Sequence, residues 1–320
     1  MQYSAPQLVA QLRSEWKILW WVFRLALWVA VVWYCVAHWQ ASYTPEIRAK
    51  LAEILSSSSL AMVLMSVILL MPLNWYLEAR RWQCLMGRTT QLSLREAWMG
   101  VWMGMAVGTW LPRLLGEYAG RVGGVAASYR AQAVQNVWLG QTTMMASTLA
   151  FGLGGVWLYF HPQQISEALL ASTVGLFVWP LFLFWGIKFL AKPLSRWQVG
   201  KVLPSNVSFG YFRQVQWWSH LRFLVFFLQY WLILSVFLPQ LSGWIIAGGI
   251  AWVYLAKSAM PFMHMIGDLG VREFSALLFF QAWQVPAASV LTPTLLLWAC
   301  NVMIPLVLGG IHWLWDRKWN

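Results

Sequence analysis

The stretch Ala97–Arg121, AWMGVWMGMAVGTWLPRLLGEYAGR, decides how this chain can be arranged. Its apolar part ends at Leu111, next to Pro112, and holds only 15 residues. A helix rises about 1.5 Å per residue, so this part covers about 22 Å, less than the ~30 Å hydrocarbon core of a bilayer. Because it cannot span alone and proline interrupts helices, we predict that 97–130 enters the membrane, breaks near Pro112 and returns to the same side as a helical hairpin.

The composition places the whole chain in a membrane. Of its 320 residues, 60% are hydrophobic and 10% are charged, whereas a soluble domain carries roughly 25% charged residues. Six longer apolar runs are predicted to be full spans: 18–39, 60–77, 134–158, 168–187, 221–238 and 294–315. We therefore predict a single integral membrane domain over 1–320, with little room for a soluble catalytic domain.

The positions of the cations predict the orientation of these spans. The net charge is +12, and Lys and Arg are enriched on the cytoplasmic side of membrane proteins. The sequence therefore predicts a cytoplasmic-membrane protein with both termini in the cytoplasm, and the membrane sidedness of the cations argues against nucleic-acid binding. The cations assigned to the cytoplasm lie at four places: Arg13 and Lys17; Arg80, Arg81, Arg88 and Arg95; Lys188, Lys192, Arg196, Lys201, Arg213 and Arg222; Arg317 and Lys318.

These placements hold together only if 244–283 is a second hairpin, entering and leaving on the outer side. The order helix, helix, hairpin, helix then occurs over 18–158 and again, inverted, over 168–315. The predicted fold is an all-α polytopic membrane protein with an inverted-topology repeat: about six full spans plus two re-entrant helical hairpins, hence eight or more membrane helices. The alternative is eight or more plain spans with a few misplaced charges.

Ionisable residues are concentrated in the two hairpins, although each costs about 2.5–3.5 kcal/mol at the membrane midplane. In the first, Arg113, Glu117 and Arg121 are four residues apart and share one helical face. The predicted break there involves Pro112 and Gly116.

The second hairpin repeats this pattern of a break beside a carboxylate and an arginine. Asp268, Arg272 and Glu273 follow predicted breaks at Pro261, Gly267 and Gly270. A helix that starts after a break directs N–H groups and a positive dipole end at the cavity, which suits a phosphate or carboxylate. Arginine adds a bidentate grip on phosphate. We predict that the six ionisable residues of the two hairpins bind substrate; alternatively, they neutralise one another as structural struts.

Two smaller patterns predict packing rather than chemistry. Thr44-Pro45 is a helix start whose apolar positions form one face, as in a helix lying on the outer membrane surface. Gly100, Gly104 and Gly108 recur every four residues, which permits close helix contact in the first hairpin.

The pattern Pro-Arg-x-x-Gly-Glu-x-x-x-Arg, followed some 150 residues later by Gly-Val-Arg-Glu, resembles the lysylphosphatidylglycerol synthase transmembrane family. That family includes the flippase domain of the multiple peptide resistance factor and stand-alone flippase-like proteins. The resemblance also takes in Arg81-Trp82. Asp268 stands where members usually have glycine, and the soluble aminoacyl-transferase domain is missing, so lysyl-lipid synthesis cannot be assigned. The matching positions are Pro112, Arg113, Gly116, Glu117 and Arg121, and then Pro261, Gly270, Arg272 and Glu273.

The expected function is a flippase-like membrane transporter that moves an anionic phospholipid or a polyprenyl-phosphate-linked lipid between leaflets, rather than an enzyme. The alternative is a membrane glycosyl- or acyltransferase component acting on a lipid phosphate, and a third is an assembly partner without its own substrate. Histidines and cysteines lack metal-ligand spacing, so no metal and no cofactor are predicted. The expected partners are anionic membrane lipids, no nucleic acid, and in one possibility a second copy of the chain.

Overall fold

The computed structural model describes residues 5–110, 118, 120–194, 207–259, 269–304 and 307. Over these ranges the chain is helical and contains no strand. The helices of this part are α1 Ala5–Ser42, α2 Pro45–Ser56, α3 Ser58–Met86, α4 Leu94–Trp110, α5 Arg130–Phe160, α6 Ile165–Leu194, α7 Phe209–Phe237, α8 Gly243–Ala259, α9 Val271–Gln281 and α10 Ala287–Trp298. A single 3₁₀ turn, Ala127–Tyr129, precedes α5, and a π-helical turn, Ala299–Met303, continues α10.

Five helical stretches of the described chain are long and apolar enough to cross a membrane: Leu25–Ser42, Ser58–Met86, Ala127–Phe160, Ile165–Leu190 and Phe209–Phe237. They coincide with the first five predicted full spans, so the prediction of a helical membrane protein is confirmed. The sixth run, 294–315, overlaps the shorter apolar stretch Ala287–Met303, and residues 308–315 lie outside the described residues.

Large apolar side chains cover the outside of this bundle. Leu69, Phe177 and Phe189 are 68%, 70% and 71% exposed. Exposed apolar surface of this extent would be unfavourable in water, whereas lipid tails solvate it. The outer surface therefore fits a bilayer, in agreement with the sequence.

Helix α2 forms as its sequence predicts. Thr44 is its N-cap and accepts a hydrogen bond from the Ile47 amide, and Pro45 occupies the first turn. Leu51 is buried in the main apolar core, while the charged residues of α2 are exposed. The helix thus lies with one apolar edge against the bundle.

The segments on either side of 111–117 lie against each other. The described part of helix α4 has 17 residues, about 25 Å. A Cβ atom added to Gly120 would stand 2.1 Å from the Gly104 backbone nitrogen, so only glycine permits this contact. The predicted close packing therefore occurs between Gly104 of α4 and Gly120 of the returning chain.

Helices α8 and α9 pack in a similar way around 260–268. The Gly249 backbone lies beside the Phe280 ring, and Gly248 lies beside Phe279. Since the first half of α8 meets the last turn of α9, which follows it in the chain, the two helices run in opposite directions. Helix α4 thus lies beside the chain at Gly120, and α8 lies beside α9, the helix that follows it.

Helices α3 and α7 form an antiparallel pair. Gln229 Nε2 donates to the Val67 carbonyl at 2.9 Å, near the start of α3. At the other end, Tyr211 Oη donates to the Leu85 carbonyl at 2.8 Å. The C-terminal end of α3 therefore meets the N-terminal end of α7.

Candidate functional site: a buried arginine cluster

One carboxylate in the interior, that of Glu78, is contacted by three arginines. Arg81 Nη2 donates to Glu78 Oε1 at 2.7 Å, and Arg121 Nη2 donates to the same oxygen. Arg222 Nη1 lies 3.0 Å from Glu78 Oε2, an ion-pair contact outside hydrogen-bond geometry. Glu78 is fully buried and the arginines are 1%, 3% and 7% exposed. We call these four residues the arginine cluster.

Each arginine of the cluster comes from a different part of the fold. Arg81 is three residues after Glu78 on α3, so the two share one helical face. Arg121 belongs to the chain returning from the first predicted hairpin, and Arg222 lies on α7. The cluster therefore joins α3, the first hairpin segment and the second half of the chain at one point.

Further groups hold the arginine side chains in place. Arg222 Nε donates to Asn74 Oδ1 at 3.1 Å, and Arg81 Nη1 donates to the Gly140 carbonyl at 3.0 Å and to Ser219 Oγ at 3.1 Å. The Arg121 guanidinium lies 5.7 Å from the Trp82 ring centroid, within cation–π distance. The cluster is thus built by α3, α5 and α7 and is not an isolated surface pair.

A chain of neutral polar groups continues from the cluster between α5 and α7. Ser219 Oγ and Thr143 Oγ1 are 2.8 Å apart, and Gln216 Nε2 donates to the Thr143 carbonyl at 2.9 Å and to Ser147 Oγ at 3.2 Å. Ser147 Oγ lies 2.9 Å from His220 Nδ1. Buried polar groups are costly unless they are hydrogen-bonded. The polar groups between α5 and α7 meet this condition by hydrogen-bonding to one another.

The cluster lies inside the membrane-crossing length of the helices. Glu78 is eight residues, about 12 Å, before the end of the 29-residue helix α3. A helix of about 43 Å that is centred on a ~30 Å core extends about 6–7 Å beyond it at each end. In such a centred arrangement Glu78 would lie about 5 Å inside the hydrocarbon layer, and Arg222, near the midpoint of α7, would be deeper still.

Stability alone does not account for such a cluster. Replacing a buried ion pair by apolar residues is often neutral or stabilising, because desolvating the charges offsets their attraction. A guanidinium fork that binds a carboxylate also has the geometry to bind phosphate oxygens.

The structure corrects the sequence interpretation of two arginines. Arg81 and Arg222 were predicted to lie outside the spans, on the cytoplasmic side, but both are buried within long apolar helices. The predicted apolar runs stop at residue 77 and begin at residue 221, whereas α3 continues to Met86 and α7 begins at Phe209. The prediction was wrong because Glu78 supplies a counter-charge that lets the helices carry charged residues inside the bundle.

Glu78 itself was missed by sequence reasoning, although a signal was present. Asn74, Glu78 and Arg81 are spaced by four and three residues and therefore form one polar face on an otherwise apolar helix. This spacing marks a face directed toward a polar interior.

Of the predicted site residues in the second hairpin, Gly270, Arg272 and Glu273 are described. Gly270 has a φ of +105°, which favours glycine, and immediately precedes α9. Glu273 Oε2 accepts a hydrogen bond from the Gly270 amide at 2.7 Å. The Glu273 carboxylate therefore occupies the start of α9, where the sequence prediction places the phosphate or carboxylate of a ligand.

Arg272 and Glu273 are buried and form an ion pair, with Arg272 Nε 3.5 Å from Glu273 Oε1. Neither of these two atoms has a hydrogen-bond partner within the described ranges. Trp28 Nε1 of α1 donates to the Leu269 carbonyl at 2.9 Å, which fixes the turn before α9. This pair is a second buried charged site, at the start of a helix.

The other predicted site and break residues lie outside the described residues: Pro112, Arg113, Gly116, Glu117, Pro261, Gly267 and Asp268. Among the residues that the structure describes, no group of three His, Cys, Asp or Glu side chains could hold a metal ion.

Comparison of the chain with models of protein families, with characterised proteins and with solved structures gives no match. The family resemblance therefore remains a prediction from the two motifs.

Proposed function

We propose that this protein is a membrane lipid transporter that moves a phosphate-bearing anionic lipid, a phospholipid or a polyprenyl-phosphate-linked lipid, between leaflets. The observation that carries the proposal is the convergence of three guanidinium groups on Glu78 inside an apolar helix bundle. Charges at that depth are retained mainly along substrate or ion pathways. The arginine forks match a phosphate, and Glu78 acts as the internal counter-ion that a phosphate displaces.

The proposed transport path lies at the interface of two inverted repeats, 18–158 and 168–315. Pairs of packed helices support this arrangement, because several recur between the two halves. In this arrangement α1, α3, α4 and α5 of the first half correspond to α6, α7, α8 and α10 of the second. Helix α3 packs on α4 and α5, and its counterpart α7 packs on α8 and α10. Helix α5 packs on α6, and correspondingly α10 packs on α1. The α3–α7 pair would lie on the pseudo-two-fold axis. The extensive contact between α5 and α8 has no counterpart of similar extent among the described residues.

Within this proposal, the two short paired segments are re-entrant hairpins. Helix α4 with the returning chain at Gly120, and α8 with α9, would each enter and leave on one side. Irregular backbone at membrane depth is tolerated where it lines a cavity. Arg121 on the first hairpin contacts Glu78 on α3, so displacement of Glu78 by a substrate phosphate would replace the direct link between hairpin and α3 by a link through the phosphate. The arginine cluster then couples substrate binding to hairpin movement.

The test is transport by the purified full chain in liposomes that contain no other protein. The two probes are fluorescently labelled phosphatidylglycerol and a labelled diacylglycerol with the same chains but no phosphate headgroup. Because diacylglycerol crosses bilayers unaided, the rate for each probe is compared with its rate in protein-free liposomes. We expect the protein to accelerate only the phosphate lipid. No acceleration of any phosphate-bearing lipid, a polyprenyl phosphate included, would overturn the proposal.

A further inference from the structure

A crevice opens between the last turns of α3 and the first turns of α7. It has two adjoining parts of about 290 and 370 Å³, which share Cys84, Gly87 and Gln214 in their walls. Small-molecule sites occupy about 300–1,000 Å³, so the second part falls within this range and the first lies just below it. The crevice lies next to the arginine cluster, since Arg80 lines it and Arg81 belongs to the cluster.

Two arginines of the crevice are held against aromatic rings. The Arg88 guanidinium carbon lies 4.4 Å from the Tyr211 ring centroid, and that of Arg80 lies 5.8 Å from Trp218. Arg88 also donates to Ser208 Oγ at 2.6 Å. Stacking engages the flat face of a guanidinium, whereas phosphate oxygens bind its N–H edge, so the two interactions are compatible. The arginines are thus oriented before a ligand binds.

The remaining polar lining of the crevice is uncharged. Gln83 accepts a hydrogen bond from Arg80 Nη1 at 3.2 Å, and Gln91 and Gln214 complete the polar wall. Amides both donate and accept hydrogen bonds and therefore suit the hydroxyl groups of a headgroup. Within the described residues, the lining includes no carboxylate. The charge of this site is complementary to a phosphate.

Apolar stripes continue from the crevice along both helices. On α3 the stripe residues precede Arg80 by four, seven and eleven positions. On α7 they begin at Trp217 and recur seven and eleven positions later. These spacings place each stripe on one helical face. These side chains are exposed on the bundle surface, where acyl chains lie. The stripes are formed by Tyr76, Leu73 and Leu69 on α3, and by Trp217, Leu224 and Leu228 on α7.

We propose that this crevice is a phospholipid-binding site in which Arg80 and Arg88, one in each part of the crevice, supply the cations for the headgroup phosphate and the two stripes hold the acyl chains. The cationic crevice alone would suit any phosphate, but the exposed apolar stripes that continue from it favour a lipid. The site is a binding site in its own right, and the inference stands whether or not the protein transports lipid.

The test measures binding by native mass spectrometry of the purified full chain in neutral detergent. Three probes separate the contributions: phosphatidylglycerol, diacylglycerol with the same chains but no phosphate, and glycerol phosphate with no chains. We expect phosphatidylglycerol to bind at least tenfold more tightly than either of the others. Equal binding of diacylglycerol would overturn phosphate recognition, and equal binding of glycerol phosphate would overturn the lipid assignment.

Variants locate the site. The double variant Arg80→Gln/Arg88→Gln should weaken phosphatidylglycerol binding at least tenfold, and Arg80→Lys/Arg88→Lys should recover part of it. Arg95→Gln is the matched control, because Arg95 is an exposed cation on the first turn of α4 at the same end of the bundle; its binding should stay within twofold of wild type. Should the glutamine variant not fold, the lysine variant still decides: wild-type affinity in the variant that folds would overturn the proposal.

Discussion

Arg222 Nη1 of α7 lies 3.0 Å from Glu78 Oε2 of α3, and this contact joins the two halves of the chain inside an apolar bundle. Arg81 and Arg121 meet the other oxygen of the same carboxylate. Glu78 is therefore the common counter-ion of three cations, and the consequences of changing it follow from that position.

The first prediction concerns stability. Glu78→Gln preserves the shape of the side chain but leaves three buried guanidinium groups without this carboxylate. Removing one partner of a buried ion pair typically costs about 3–5 kcal/mol. We expect a large drop in the midpoint of thermal unfolding in detergent, followed by intrinsic tryptophan fluorescence.

The control for this change is Glu53→Gln, which removes the same charge from the exposed surface of α2. Its unfolding midpoint should stay near that of the wild type. A Glu78→Gln protein as stable as the Glu53→Gln protein would show that the arginines do not depend on Glu78, and the cluster described here would be wrong.

The second prediction concerns the close contact in the first hairpin. A Cβ at Gly120 would meet the Gly104 backbone nitrogen at 2.1 Å, so Gly120→Ala must separate the two segments. Overpacking of this kind costs about 1–3 kcal/mol. Gly186→Ala is the matched control, because a Cβ there meets nothing within 4 Å. We expect a lower unfolding midpoint for the first variant and an unchanged or higher one for the second; equal midpoints would contradict the contact.

The third prediction concerns topology. In a background without the three native cysteines, Ser128→Cys should resist a membrane-impermeant thiol reagent added to intact cells, whereas Gln163→Cys and Gln240→Cys should react. The first position follows the first predicted hairpin, which is predicted to return to the cytoplasm, and the other two lie in predicted outer loops that lack Lys and Arg. Labelling of Ser128→Cys from outside would mean that 97–130 crosses the membrane, and the inverted repeat would be abandoned.

The positions of the long helices could be predicted from the sequence, whereas the arginine cluster could not, and the reason is physical. Long apolar runs report burial in lipid directly, so five full spans could be located from composition and length. The ends of α3 and α7 could not, because a charged residue ends an apolar run whether it faces water or a buried partner. Arg81 and Arg222 were therefore placed outside the spans, because the sequence does not show that Glu78 faces them.

The candidate site shows the same limit at Arg121 and Glu273. The helical spacing of Arg121 from Arg113 and Glu117 predicted a charged hairpin face, but its contact with Glu78 joins residues far apart in sequence. Local reasoning suggested a ligand at the start of α9, where the Glu273 carboxylate accepts the Gly270 amide instead. Contacts between distant segments depend on helix packing, which periodicity does not specify.

The most direct test of the central claim, that buried arginines handle a lipid phosphate, is the rate of labelled phosphatidylglycerol movement in liposomes containing Arg121→Gln, Arg121→Lys or Arg48→Gln, normalised to folded protein. Loss of a charge-assisted hydrogen bond worth about 1.5–3 kcal/mol should slow Arg121→Gln roughly ten- to a hundredfold. Arg121→Lys should recover only part, because an ammonium lacks the planar fork, and the exposed-site control Arg48→Gln should match wild type. Equal rates for Arg121→Gln and Arg48→Gln would contradict the account.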